Sequence, residues 1–246
     1  MTNHCKAILR LIRLTQLILS ANWSGKSVSD HRARAQWLQQ QVIQGLEILQ
    51  VQVHRQGAVP THGLIVSNHL SYLDILVIAS QAPAIFVAKS ELFNWPMIGN
   101  LLRHAGTIMA TRERPLKSAQ TALEIQAALK RELLVVLFPE GTSTDGTSVQ
   151  PFRSPLFQPA HAVSANIIPT AIAYTAKNTN PSSDICYWGD HTFGRHLIKL
   201  STIQNIVAHI RFGSAQPCRA DRKQSAAYFY TAVSRLHGEL NRLSAD

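Results

Sequence analysis

Apolar and polar positions along the chain switch between a period near 3.6 and a period of 2, which predicts an alternation of helices and strands. Residues 5–20 read as a helix that is apolar on most sides but carries Lys6, Arg10 and Arg13. A second helix is predicted over 30–44, with Asp30 as N-cap and Trp37 on its apolar side. Residues 46–54 alternate as a half-buried strand does. A short apolar strand over 64–67, a helix over 71–80 and a strand over 84–88 follow. Pro96 opens a helix over 96–104, and 106–110 reads as a strand. The clearest amphipathic helix covers 115–131, with Ala119, Ala122, Leu123, Ile125, Ala128 and Leu129 as its inward positions. After it come an apolar strand over 133–138, a long polar loop, strands over 167–174 and 206–212, a helix near 193–200 between them, and a last helix over 221–243. Such regular alternation implies an α/β fold. Its central sheet would be mostly parallel and flanked by helices, preceded by an N-terminal two-helix segment. The division expected is 1–45 for that segment and 46–246 for the α/β domain.

Composition adds a charge problem. The 246 residues hold 24 Lys+Arg against 14 Asp+Glu, a net charge of +10, while charged residues make up only 15% of the chain. The excess sits at the ends: residues 1–60 carry seven basic and two acidic groups, 61–194 nine of each, and 195–246 eight and three. A nucleic-acid enzyme concentrates positive charge around its working cleft, and here the middle is neutral, with no basic run interleaved with aromatics. Nucleic acid is therefore not the expected partner, and an anionic membrane surface is. The apolar bulk and arginines of helix 5–20 suit an interfacial segment, and they suit equally a helix docked on the domain's own core. The C-terminal excess is open between that membrane and an acidic carrier protein. No run reaches 18 apolar residues, and Arg10 and Arg13 break the hydrophobic stretch that would otherwise resemble a signal peptide. Three scattered cysteines, Cys5, Cys186 and Cys218, argue for a reducing compartment and against a zinc site.

Four short segments carry the candidate chemistry. The first, 67–74, contains the chain's one His-x4-Asp pair, His69 and Asp74. On a continuous helix the two would not share a face. They meet if His69 lies on the loop leaving strand 64–67 and Asp74 in the first turn of the next helix. A carboxylate on one imidazole nitrogen fixes the tautomer and frees the other nitrogen as a general base. A purely structural reading stands beside this one: Ser71-Tyr72-Leu73-Asp74 is a capping box, with Asp74 doing no more than capping. The second segment, 137–146, places Glu140 after a buried strand, among residues that form turns for local reasons. Ligands in open α/β sheets bind beside the carboxyl ends of strands, where both loops would lie. The third, 106–112, ends on Arg112, which has the same placement as Lys89; each is also an ordinary surface cation. The fourth is Pro169 inside an apolar strand, which predicts an edge or a bulge there. No Gly-x-Ser-x-Gly elbow is present, so direct transfer to a bound acceptor is favoured over an acyl-enzyme.

In this order and spacing the segments resemble the glycerolipid acyltransferase family, the enzymes that acylate lysophosphatidic acid and other lysolipids. The resemblance rests on Asn68-His69-x4-Asp74, Gly106-Thr-Ile-x-x-x-Arg112, Phe138-Pro-Glu-Gly-Thr142 and Ile168-Pro169, and covers roughly residues 60–215. It implies that His69 is the general base on the acceptor hydroxyl and that Asp74 orients it. It implies acceptor contacts from Asn68, Arg112, Pro139, Glu140, Gly141 and Thr142, with Lys89 as a helper. The acyl donor would be acyl-CoA or acyl carrier protein, with no metal or bound cofactor, at the cytoplasmic face of a membrane. The family commonly has Arg after Thr142, and this chain has Ser143. That exchange removes a cation suited to a phosphate monoester. Lysophosphatidic acid remains the default acceptor, with lyso-ornithine lipid or lysophosphatidylcholine as the alternative. Two other readings stay open on the residues alone: a non-catalytic binding module, and a thioesterase using the same His/Asp pair with water.

Overall fold

A computed structural model describes residues 3–110 and 115–243. In chain order the elements are α1 (Asn3–Ser24), α2 (His31–Leu49), β1 (Val51–Gln56), β2 (Gly63–Ser67), α3 (Leu73–Gln81), β3 (Ile85–Lys89), α4 (Ile98–His104), β4 (Ile108–Ala110), α5 (Pro115–Lys130), β5 (Leu134–Leu137), α6 (Gln158–Ala162), β6 (Ile167–Thr175), α7 (Pro181–Asp184), α8 (Phe193–Thr202), β7 (Ile206–Phe212) and α9 (Arg222–Leu243). Seven strands form one sheet in the order β1-β7-β6-β2-β5-β3-β4. Strands β6, β2, β5, β3 and β4 run parallel, and β7 turns the direction by pairing antiparallel with β6 and parallel with β1.

The layering follows from the apolar strands. Every residue of β2 and β5 is buried, as parallel strands covered on both faces must be. Alternate residues feed opposite cores. Ile65 and Val136 join α2 and α3 on one face. Leu64, Val66, Val135 and Leu137 join α5, Phe157 and α9's Phe229 on the other. Phe157 and Phe229 have no exposed surface, and burial of each is worth roughly 1.5–3 kcal/mol.

Several expectations shift. Helix α2 begins where its N-cap predicts, the Asp30 carboxylate accepting from the backbone N–H groups of Arg32 and Ala33 at 3.0 Å. It then runs to Leu49 instead of giving way to a strand at 46, because Val42, Leu46 and Leu49 share a helical face in the main core. Gln50, at φ 56°, closes the helix. The expected domain boundary at 45/46 therefore cuts a helix. Pro169 sits on an interior strand, not an edge. Its strand pairs with β2 there, while pairing with β7 starts only at Thr170, and the Pro169 carbonyl accepts from the Gly213 N–H at 2.8 Å. The missing N–H thus falls where the second ladder has already stopped.

Arg10 is not an interfacial cation. It is 6% exposed, and its guanidinium donates to the carbonyls of Ser201, at 2.7 Å, and Ile203, and to the Gln50 side chain. Positive charge at the end of α8 satisfies carbonyls that the helix leaves open. One face of α1 is thereby docked on α8, α2 and α4. The other face leaves Ile8, Leu9, Ile12, Leu19 and Trp23 exposed. The docked reading of the N-terminal helix holds for the first of these faces. Among the described residues no helix is long and apolar enough to cross a membrane. The C-terminal basic residues Arg219, Arg222 and Lys223 follow β7, whose end pairs with the start of β6, so they lie toward the sheet edge opposite the loops that leave β2 and β5.

Candidate active site

The loops that leave β2 and β5 meet over the carboxyl edge of the sheet. His69 follows β2 by two residues, and Asp74 lies in the first turn of α3. His69 Nδ1 is 2.7 Å from Asp74 Oδ2. The same oxygen accepts from the backbone N–H of Leu70 at 2.7 Å and of Ser71 at 3.0 Å. Capping and ring orientation are thus two jobs of one oxygen. Half of the expected capping box is present, since Asp74 reaches back to the Ser71 N–H, while the Ser71 hydroxyl is buried and makes no bond. The His69 ring stacks on Phe138, with centroids 4.1 Å apart and planes at 17°. Its side chain keeps 22% of its surface exposed, and among the described residues Nε2 makes no hydrogen bond. A protonated Nδ1 held by a buried carboxylate, with Nε2 open to a reactant, is the arrangement of a general base.

The second loop holds the first. Glu140 accepts from the His69 N–H at 2.7 Å through Oε1 and from the Gln150 N–H at 2.8 Å through Oε2. Burial pushes its carboxyl up to about 7, against the two N–H groups that pull it down. The Thr144 N–H donates to the His69 carbonyl at 2.9 Å, so the His69 backbone is fixed from both sides. Gly141 turns this loop at φ 76°, a conformation that favours glycine.

The other expected site residues divide. Asn68 is buried and spends its amide on the backbone of Ile172 in β6, donating to the carbonyl and accepting from the N–H, each at 2.9 Å. Pro139 is buried, and its carbonyl accepts from Arg153 N–H at 3.0 Å. Asn68, Pro139 and Glu140 therefore hold loops in place. Thr142 is exposed beside the site. Lys89 is exposed and ends β3, two strands from β2, roughly 10 Å along the same edge. Arg112 lies outside the described residues. Ser143, where the family's Arg commonly stands, donates its hydroxyl to the Tyr187 carbonyl. The Tyr187 N–H in turn donates to the Leu70 carbonyl at 2.7 Å, tying residues 185–191 to the His69 loop.

One group has no signal in the sequence. Tyr174, on β6, donates its hydroxyl to Asp74 Oδ1 at 2.6 Å across a separation of 100 residues. Only its inward position on a strand beside β2 could have pointed to it.

The acyltransferase family model matches residues 50–173, the span that contains every one of these groups except Tyr174 and the Tyr187 segment. The chain belongs to the acyltransferase family. It is 36% identical over 146 residues to a lyso-ornithine lipid O-acyltransferase of Rhodobacter capsulatus, covering 57% of this chain and 52% of that one. It is 31% identical over 205 residues to a lyso-ornithine lipid O-acyltransferase of Rhizobium meliloti, covering 78% and 68%. A 1-acyl-sn-glycerol-3-phosphate acyltransferase of Neisseria gonorrhoeae shares 32% over 138 residues, 52% of this chain and 54% of its own. The chain thus spans about half the length of two of these relatives and about two thirds of the third. In fold the chain matches the crystal structure of a 1-acyl-sn-glycerophosphate acyltransferase from Thermotoga maritima. The TM-score is 0.73 at 18% identity, over 97% of this chain and 96% of the other.

Proposed function

We propose that this acyltransferase moves a fatty acyl group from a thioester donor, acyl-CoA or acyl carrier protein, to the free hydroxyl of a lysolipid. The observation that carries the reading is the 2.7 Å contact between His69 Nδ1 and Asp74 Oδ2, with Nε2 left open at the sheet's carboxyl edge. Nε2 takes the hydroxyl proton as the oxygen attacks the thioester carbonyl carbon. The tetrahedral intermediate collapses with its C–S bond broken, and the departing sulfur recovers the proton from the imidazolium. Nothing in this sequence of steps needs a metal.

For the acceptor, 1-acyl-sn-glycerol-3-phosphate is supported by the intact blocks of the family pattern and by the Neisseria relative. Lyso-ornithine lipid has a specific observation behind it. The Ser143 hydroxyl is spent on the Tyr187 carbonyl, so the position offers an acceptor neither a cation nor a free donor, and the Rhodobacter and Rhizobium relatives are named for that lipid. An acceptor panel of lysophosphatidic acid, lyso-ornithine lipid and lysophosphatidylcholine, with both donors, decides by thiol release. Release that needs no lysolipid would make the protein a thioesterase and overturn the transfer reading.

The exposed side of α1 is the membrane face we infer. Trp23, 78% exposed, rims a groove of about 260 Å³ with Leu19, Met97, Lys26 and His104, and Lys26 lies 5.1 Å over the Trp23 ring. An indole beside a cation suits the headgroup level of a bilayer. Trp23→Ala is expected to weaken sedimentation with anionic vesicles severalfold while turnover of a detergent-dispersed lysolipid stays the same.

A further inference from the structure

The two oxygens of the Asp74 carboxylate are treated very differently. Oδ2 receives three N–H groups, from the His69 ring, Leu70 and Ser71. Oδ1 is met, among the described residues, by one donor, the Tyr174 phenol at 2.6 Å. Asp74 has no exposed surface and Tyr174 has 5%, so water has no ready access to replace that donor. We propose that Tyr174 is a positioning residue of the acyl transfer, acting on His69 through Asp74. The proposal rests on the general-base reading of His69.

Three observations support it. First, strand register is locked where the phenol needs it. Asn68, next to His69, bonds both backbone groups of Ile172, and Tyr174 is two residues further along β6. Residues i and i+2 share a face, and a slip of one residue would turn the ring to the opposite core. Ile172 and Tyr174 indeed belong to the core that also contains Leu73 of α3. Second, the phenol remains a donor over any working pH, because burial first and the Asp74 charge second hold it well above the usual tyrosine range. Third, a buried carboxylate without its full set of donors costs heavily, and hydrogen bonds to charged groups are the strong ones. The phenol thus fixes the carboxylate plane and draws negative charge toward Oδ1, away from the oxygen that faces His69.

Removing it has a defined consequence. With charge returned to Oδ2, the His69 imidazolium gains stability and the neutral base form is lost at higher pH. The other ionisable groups around the pair are Glu140 from the β5 loop, Asp145 beyond it, Cys186 before α8 and Tyr72 before α3. All of them are still present after a substitution at 174, so they are common to both profiles.

The test is the pH profile of kcat for Tyr174→Phe, which keeps the ring and removes the hydroxyl. Expected are a kcat about tenfold lower, KM for donor and acceptor within about twofold, and an acid limb moved up by about half a pH unit. Placing 3-fluorotyrosine at 174, a more acidic donor, is expected to move the limb down, and this variant decides the matter should Tyr174→Phe fail to fold. Ile172→Val, a packing change on the same face, should lower the melting temperature and leave the limb in place. An unmoved limb in the two Tyr174 variants, or an equal shift in Ile172→Val, would overturn the proposal. Full turnover by His69→Ala is a separate failure, of the base mechanism itself.

Discussion

Two loops bring a buried carboxylate each to His69, and they are built to different ends. Asp74 has four donors, three from the β2 loop on one oxygen and the Tyr174 phenol of β6 on the other. Glu140 on the β5 loop has two, one per oxygen, both of them backbone N–H groups, one from His69 and one from Gln150. Two donors do not offset the burial of Glu140, whose carboxyl is pushed up to about 7. The lesson is that burial alone does not make a carboxylate catalytic or structural. The number and placement of donors decide whether it serves as a fixed counter-charge under a ring or as a clamp that can take up a proton.

The strongest test of that contrast is at the pair itself. His69→Ala is expected to lose at least about a thousandfold in kcat, since general-base catalysis supplies 10²–10⁴. Asp74→Asn should lose about as much, because an amide nitrogen would face three N–H donors or turn its NH₂ to the Tyr174 phenol. Steady-state thiol release measures both, and turnover within tenfold of wild type in either would remove the counter-charge role.

Glu140 should show itself in stability. Its folded-state value of about 7 lies above the ordinary 4.5, so the stability it contributes is complete below pH 4.5 and is lost as pH rises through 7. Across that window the fold gives up about 3 kcal/mol from this one group. Urea titrations at pH 4.5 and 7.5 are expected to show that loss in the wild type and a smaller one in Glu140→Gln. Equal losses would mean that Glu140 is as well supplied as Asp74 and that the contrast is false. The smallest expected effect belongs to Asn68→Ala. Two buried hydrogen bonds to Ile172 disappear, costing about 2 kcal/mol in unfolding free energy. Activity should fall along with it as the β6 register loosens, and an unchanged unfolding midpoint would show that Asn68 does not hold the strand.

Much of this was legible in the chain. The hydrophobic pattern identifies the seven strands of the described residues and the long helices, and the His-x4-Asp spacing places His69 and Asp74 on a loop and the helix after it. Local physics governs these features: an apolar run covered on both faces, a capping residue, a proline at a helix start. The errors came where local signals competed. Residues 46–49 alternate like a strand, yet extend a helix because its face at 42, 46 and 49 meets the core. For Arg10 composition leaves a lipid-facing and a docked reading equally open, and it is buried because the end of α8 offers carbonyls to it.

What the sequence determines by itself is therefore the α/β class, the two loops that carry His69, Asp74 and Glu140, and the neutral middle between basic ends. The tertiary structure alone decides what those side chains do. It makes Asn68, Pro139 and Glu140 clamps of the loops around His69, and it brings Tyr174 from 100 residues away onto Asp74. The physical reason is that a hydrogen-bond partner is set by the register of neighbouring strands. The order β6-β2-β5, which joins segments distant along the chain, is written in no short stretch of it.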